Sequence, residues 1–289
     1  MRDGSTRLVG LIGWPVAHSL SPAMHAAAFA EFGLNWRYIP LPVRPGGAAE
    51  APRALKVLGF VGANVTVPHK TTIIEGLDAL SDEARAIGAV NTVVIAEAPD
   101  GTQTAHGHNT DAEGFVDSLR RAEMLPAGER AVVVGAGGAA RAVVLALLRE
   151  GASEIVVLSR RIDEARRLAD RFGAPVRARP FEREALVDAA RGATLMVNAT
   201  PVGMAPREAE SIWPDGVRVP SGLAVVDLVY TPRDTRLLRQ ARGSGALALG
   251  GLEMLIAQGA ASFALWTGKR PSLATMRRAC DAALGGGIR

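Results

Sequence analysis

Short apolar runs alternate along the chain with longer stretches in which apolar residues recur every three or four positions. The short runs are rich in β-branched residues and read as strands, whereas the longer stretches carry the period of amphipathic helices. In the first part of the chain this pattern predicts strands at Leu8–Ile12, Trp36–Val43 and Val61–Val65. Helices are predicted at Pro22–Phe32, with Ser21 as N-cap, and at Gly47–Leu58,. Two short helical stretches follow, to about Gly88. Asn91–Ala98 and Thr102–Gly107 read as a hairpin closed at Pro99-Asp100-Gly101, because Asp-Gly suits a tight turn,. Asp111–Arg121 reads as a helix.

A second series begins after Pro126. Strands are predicted at Ala131–Val134, Glu154–Leu158, Val176–Arg179, Leu195–Asn198, Ala224–Leu228 and Ala246–Leu249. Helices are predicted at Gly138–Glu150 and Asp163–Phe172, and from about Leu252 to the end. Ala131–Val134 is wholly apolar, as a buried parallel strand should be,. Strand–helix alternation of this kind gives parallel sheets with helices on both faces, an α/β fold. Each series is the size of a domain, with a boundary near Asn109,.

Composition narrows the class. With one cysteine, Cys280, the chain forms no internal disulfide and no cysteine-based zinc cluster,. At 48% hydrophobic residues it is neither disordered nor fibrous,. No apolar run reaches the ~18 residues of a membrane span. The segment Met1–Arg7 leads into a strand without a signal-peptide core, which predicts a cytoplasmic protein,. The net charge of +4 comes without arginine runs interleaved with aromatics, so a nucleic-acid partner is not expected,. Only three lysines occur, Lys56, Lys70 and Lys269, so a lysine inside an apolar motif raises a chemical question.

The clearest local signal is Ala131-Val-Val-Val-Gly135-Ala136-Gly137-Gly138-Ala139-Ala140-Arg141. A buried strand enters G-x-G-x-x-A and a helix leaves it. Gly135 suits the tight turn, Gly137 admits a pyrophosphate, and Ala140 allows close helix packing. The helix N-terminus then faces the anion with free N–H groups. The next strand ends in Ser159-Arg160-Arg161, where an NAD-selective site carries Asp or Glu,. Guanidinium groups suit a 2′-phosphate, so NADP is expected over NAD.

Other motifs carry polar groups on loops. Gly13-Trp-Pro-Val-Ala-His-Ser19-Leu-Ser21-Pro22 places two hydroxyls at a strand-to-helix junction, suited to a carboxylate,. Asn64-Val-Thr66-Val-Pro-His-Lys70 follows an apolar strand, at the carboxyl end where open α/β sheets bind ligands,. Ile87-Gly-Ala-Val-Asn91-Thr92 and His108-Asn-Thr-Asp111-Ala-Glu-Gly114 add amides and a carboxylate. A lysine and a carboxylate can share the proton handling of a hydroxyl substrate. The five histidines lack cysteine partners, and no metal is expected. Trp14, Trp36, Trp213 and Trp266 read as packing residues.

As an ordered set, GWPVAHSLSP, NVTVPHK, IGAVNT, HNTDAEG, GAGGAAR, NATPVGM, DLVYTP and GLEMLIAQ closely resemble the shikimate dehydrogenase family over nearly the whole chain. The resemblance implies an N-terminal α/β substrate domain, residues 1–108 with 251–289, and a Rossmann-like doubly wound NADP-binding domain, residues 109–250. It implies reversible hydride transfer between NADPH and 3-dehydroshikimate, giving shikimate. Ser19 and Ser21 match the family's carboxylate-binding positions. Thr66, Asn91 and Gln258 match positions that bind substrate oxygens, with Tyr230 beside them. Lys70 and Asp111 match its catalytic pair. Gly135, Ala136, Gly137, Gly138 and Ala139 match the pyrophosphate loop, and Ser159, Arg160 and Arg161 the 2′-phosphate loop. Asn198, Thr200, Leu228 and Gly251 match positions around the rest of the cofactor, and Asp82 one near it. Ala26 stands where the family often has Asn, and Ser159-Arg160-Arg161 where it often has Asn-Arg-Thr. NAD as a secondary cofactor, a quinate/shikimate dehydrogenase and a non-catalytic metabolite-binding regulator are the competing readings. The expected partner is a small molecule, with no membrane, in a monomer or homodimer.

Overall fold

The computed structural model describes residues 5–125 and 128–285. Residues 1–4 of the segment read for targeting, Pro126, and residues 286–289 of the predicted terminal helix lie outside them. The chain divides into two compact units, residues 1–110 with 256–289, and residues 111–255.

The first unit is built on β1 (Arg7–Gly13), β2 (Trp36–Pro42), β3 (Phe60–Val65), β4 (Ala79–Leu80), β5 (Thr92–Glu97) and β6 (Gln103–His108), in the order β2-β1-β3-β5-β6-β4. All six residues of the central β3 are buried. β1 pairs in parallel with β2 and β3, but β5 runs antiparallel to β3 and β6. This sheet is therefore mixed rather than parallel. The reason is the hairpin, whose turn is closed by Thr102 N–H donating to Asp100 Oδ1 at 2.9 Å. The two-residue β4 is too short to leave a periodic trace in the sequence.

Helices α1 (Ser21–Glu31), α2 (Ala51–Val57) and α3 (Asp82–Ile87) belong to this unit. Ser21 is not the N-cap of α1. Leu20 holds that position, Ser21 is the first helical residue, and Ser19 Oγ accepts from Ser21 N–H at 3.2 Å. The predicted Gly47–Leu58 helix is a 3₁₀ turn, Ala48–Glu50, followed by α2, whose first turn holds Pro52. Ser81 caps α3 by accepting from Ala84 N–H.

The second unit holds α4 (Asp111–Arg121), then β7 (Arg130–Val134), α5 (Gly138–Arg149), β8 (Glu154–Ser159), α6 (Ile162–Phe172), β9 (Val176–Pro180), α7 (Arg183–Ala190), β10 (Leu195–Asn198), β11 (Ala224–Asp227), α8 (Arg236–Gly243) and β12 (Ala248–Gly250). All six strands are parallel, in the order β12-β11-β10-β7-β8-β9. Counted from β7, this is the doubly wound 3-2-1-4-5-6 order, with its switch point between β7 and β10. α7 and α8 do not appear among the predicted elements.

The terminal segment is not one helix. α9 (Leu252–Thr267) ends at Gly268, which takes a positive φ, and α10 (Leu273–Gly285) starts beyond Pro271. α10 packs on α1. Phe29, Tyr38, Phe263 and Trp266 enclose His25 in the core of the first unit, and Trp36 packs on Phe29. Trp36, Trp213 and Trp266 are buried as expected, but Trp14 is exposed, with the Arg44 guanidinium 5.0 Å above its ring.

Candidate active site

In the first unit, the carboxyl ends of β1 and β3 carry two polar loops. Thr66 N–H donates to Ile12 O at 2.8 Å, and His69 N–H to Thr66 O at 2.9 Å. The buried His69 donates from Nε2 to Val43 O at 2.7 Å, which fixes its tautomer. The Lys70 carbonyl accepts from Val90 N–H at 2.7 Å. Lys70 thus extends, half-buried, from a loop fixed at both sides. Ser19 is half-buried and Ser21 buried at the start of α1.

Asn91 is held at both ends of its side-chain amide. Its Oδ1 accepts from Thr110 N–H at 2.8 Å and from Thr92 Oγ1 at 2.9 Å. Its Nδ2 donates to Thr110 Oγ1 at 2.9 Å and to Gln258 Oε1 at 3.2 Å. Asn91 and Gln258, 167 positions apart in the chain, therefore share one cluster. Asp111, buried, is the next residue after Thr110 and opens α4, where a carboxylate favours the helix N-terminus,. The structure also brings in Tyr38 and Ser262, which sequence reasoning did not single out. Tyr38 Oη donates to Asn64 Oδ1 at 2.8 Å.

In the second unit, β7 delivers Gly135 to a turn with φ 117°, reserved for glycine,. An added Cβ there would also lie 3.0 Å from Ala199 O. Gly137 is the N-cap of α5, and the space where its Cβ would stand is open. Gly138 and Ala139 follow half-buried in the first turn, and Ala136 is buried. The open N-terminus of a long helix beside glycine backbone fits a pyrophosphate.

At the end of β8, Ser159 Oγ accepts from Arg161 N–H at 3.1 Å. Arg160 is exposed. Arg161 is also exposed and pairs with Glu164 at 2.8 Å. Asn198 ties two loops together. Its Nδ2 donates to Asp227 Oδ1 at 2.9 Å and Val202 O at 3.2 Å, while its Oδ1 accepts from Thr200 Oγ1 at 2.6 Å. Asp227 further accepts from Val229 N–H and, at 2.6 Å, from Thr235 Oγ1. Burial pushes the Asp227 carboxyl up from 3.8 to about 6, against the pull of these three donors. Leu228 and Tyr230 are half-buried just beyond it, and Asp82 of α3 is exposed.

Gly251 admits a close approach. A Cβ added there would lie 2.2 Å from Leu228 O and 2.5 Å from its carbonyl carbon. Backbone cannot yield as a flexible side chain does. Gly251→Ala is therefore expected to cost roughly 1–3 kcal/mol, lowering Tm by several degrees, and to raise KM for NADP⁺. Thermal melting with cofactor kinetics checks this, and an unchanged Tm and KM would refute it.

Among the described residues, no group of three or more His, Cys, Asp or Glu is placed to hold a metal ion. No described helix is long and apolar enough to cross a membrane.

A doubly wound sheet whose first strand enters a glycine turn at a helix N-terminus defines a dinucleotide-binding protein of the α/β class, here with a second α/β unit,. The family model described as "Shikimate dehydrogenase substrate binding domain" matches residues 11–93. "Shikimate / quinate 5-dehydrogenase" matches residues 120–234, and "Shikimate 5'-dehydrogenase C-terminal domain" matches 251–280. The chain belongs to the shikimate dehydrogenase family. It is 47% identical over 288 residues to a shikimate dehydrogenase (NADP(+)) of Moorella thermoacetica, covering 97% of this chain and 95% of that one. A shikimate 5-dehydrogenase from Thermus thermophilus, solved with NADP(H) and shikimate, shares the fold at a TM-score of 0.83. It is 39% identical, with 96% of this chain and 100% of that one covered. A quinate dehydrogenase from Corynebacterium glutamicum, solved with NAD, gives a TM-score of 0.82 at 33% identity, covering 95% and 98%.

Proposed function

We propose that this chain is an NADP-linked shikimate dehydrogenase, reversibly converting 3-dehydroshikimate to shikimate in chorismate and aromatic amino-acid biosynthesis. The single observation that carries the site assignment is the Asn91–Thr110–Gln258 cluster. It gathers two amides and a hydroxyl, groups suited to a polyhydroxylated ring, in the same unit as the Lys70 loop. Ser19 and Ser21 hold the substrate carboxylate, and Thr66, Asn91, Tyr230 and Gln258 hold ring oxygens. Gly135 to Ala139 receive the pyrophosphate, and Ser159, Arg160 and Arg161 the 2′-phosphate. Asn198, Thr200, Leu228 and Gly251 shape the remainder of that site. Bound NADP⁺ supplies the hydride acceptor. Lys70 takes the proton from the reacting hydroxyl during oxidation and returns it to the oxygen during reduction. Asp111 hydrogen-bonds the same substrate hydroxyls and orients them. A cytoplasmic enzyme, monomeric or homodimeric and free of metal, belongs to the same proposal.

The test is nicotinamide absorbance with shikimate or quinate, each with NADP⁺ or NAD⁺. Turnover with shikimate and NADP⁺ is expected to dominate. Replacing Arg160 and Arg161 together by alanine is expected to raise KM for NADP⁺ by about tenfold or more, as loss of charge-assisted bonds does, leaving KM for NAD⁺ nearly unchanged. The Arg161–Glu164 pair competes with the phosphate, which limits the share of Arg161. Equal turnover with NAD⁺ or quinate would move the chain to the quinate/shikimate group. Dinucleotide binding without turnover would point to a regulator.

A further inference from the structure

We propose that Ser262 is a positioning residue for substrate, its buried hydroxyl holding the Asn91 amide, and through it the Gln258 amide, in register. The inference rests on the substrate roles proposed above for those two residues. Ser262 lies on α9, one turn after Gln258, and is 0% exposed. Its Oγ accepts from Asn64 Nδ2 at 3.0 Å and lies 3.0 Å from the main-chain carbonyl of Gln258, which competes for its one proton,. It also lies 2.8 Å from Thr92 Oγ1 and 3.1 Å from Thr110 Oγ1. Each hydroxyl has one proton; with that of Thr92 given to Asn91 Oδ1, the Ser262 proton given to Thr92 Oγ1 completes a chain from Asn64 to Asn91,.

Thr92 and Thr110 are the residues that grip the Asn91 side chain. Thr92 Oγ1 donates to Asn91 Oδ1, and Thr110 Oγ1 receives Asn91 Nδ2. Thr110 Oγ1 also donates to the main-chain carbonyl of Gln258 at 3.0 Å. The two N–H groups of the Asn64 amide are shared among Ser262 Oγ, Asn91 O at 3.1 Å and Thr92 Oγ1 at 3.2 Å,. One hydroxyl therefore joins α9 to β3, to the start of β5 and to Thr110. An amide offers oxygen on one side and N–H on the other, so a ring hydroxyl meets the correct atom only if the amide cannot rotate. Fully satisfied buried networks impose that single orientation. An apolar side chain at position 262 would keep the helix but free the hydroxyls that set the amides.

The experiment compares wild type with Ser262→Ala, Ser262→Cys, Gln258→Ala and the Ser262→Ala/Gln258→Ala double variant. Each is assayed by steady-state kinetics for shikimate and NADP⁺ and by thermal melting. Ser262→Ala is expected to raise KM for shikimate about 5- to 10-fold, the loss of one or two hydrogen bonds. Its kcat should stay within about twofold, and its KM for NADP⁺ should not change. Ser262→Cys, which keeps the shape with a weaker donor, should fall between wild type and alanine. The double variant should cost less than the two single effects multiplied, since both act on the same contact. Unchanged KM for shikimate in a folded Ser262 variant overturns the proposal. So does a parallel shift of kcat and both KM values, the mark of general loosening. If Ser262→Ala does not fold, the cysteine variant decides by the same criteria. An unaltered KM in Gln258→Ala would instead refute the substrate role of Gln258, leaving that failure distinct from one confined to Ser262.

Discussion

Replacing Lys70 by alanine is expected to lower kcat for shikimate oxidation by about 10²- to 10⁴-fold, the usual contribution of a positioned acid–base group. KM should change far less. The backbone of the Lys70 loop is held independently of the lysine side chain. Val90 N–H fixes the Lys70 carbonyl, and His69 fixes the loop to Val43. Alanine therefore removes the proton carrier and leaves the loop in place. Lys70→Met keeps most of the aliphatic stem and should be equally slow, which separates lost chemistry from lost packing. Steady-state kinetics for both variants, with melting curves close to wild type, check this. A kcat within tenfold of wild type in Lys70→Ala would remove Lys70 from the reaction.

Acidification is expected to affect the two units in opposite directions. His25 is fully enclosed, stacked on Tyr38 with ring centroids 4.5 Å apart. Burial lowers it from 6.5 to about 3, and the nearby Asn64 side chain offsets this only in part. Between those values the unfolded chain carries the proton and the folded one does not. His25 thus makes no pH-dependent contribution above about 6.5. The first unit loses up to ~1.4 kcal/mol per pH unit as pH falls from 6.5 toward 3,. Asp227 has the opposite sign. Its folded value lies above its unfolded one, so the folded state holds the extra proton between 3.8 and about 6. The stability it contributes is complete below 3.8 and is lost as pH rises through 6,. Amide hydrogen exchange, corrected for intrinsic rates and read on each unit's peptides, resolves the two. His25→Phe should remove the acid loss in the first unit and leave the second unchanged. Asp227→Asn should flatten the slope in the second unit alone. Exchange that tracks pH identically in both units, or is unmoved by either substitution, would contradict the assignment.

Strong periodicity made most elements readable. The buried β7 run, the Asp-Gly hairpin and the Asp111–Arg121 helix stand where the local pattern places them. β4 spans two residues, too short to show a period. α7 and α8 are eight-residue helices that the local pattern did not mark. The terminal helical pattern runs on through Gly268 and Pro271, whose break was not read as such. Ser21 has a capping side chain, but the helix begins one residue earlier and leaves it as the first helical residue. The motifs pointed to Asn91 and Gln258 without showing what holds them. Ser262 sits in an apolar helix pattern among small residues, and nothing in that pattern distinguishes a hub from a surface serine.

The sequence by itself determined the α/β class, the glycine turn between β7 and α5, the arginines after β8 and the family, because these depend on residues close together in the chain. Only the tertiary structure decided which distant groups meet. Asn64 reaches Ser262 across 198 positions, and Asp227 reaches Asn198 from the neighbouring strand. It also decided that His25 and Asp227 are charged only at a cost, since desolvation depends on what the whole fold packs around a group and not on its chain neighbours.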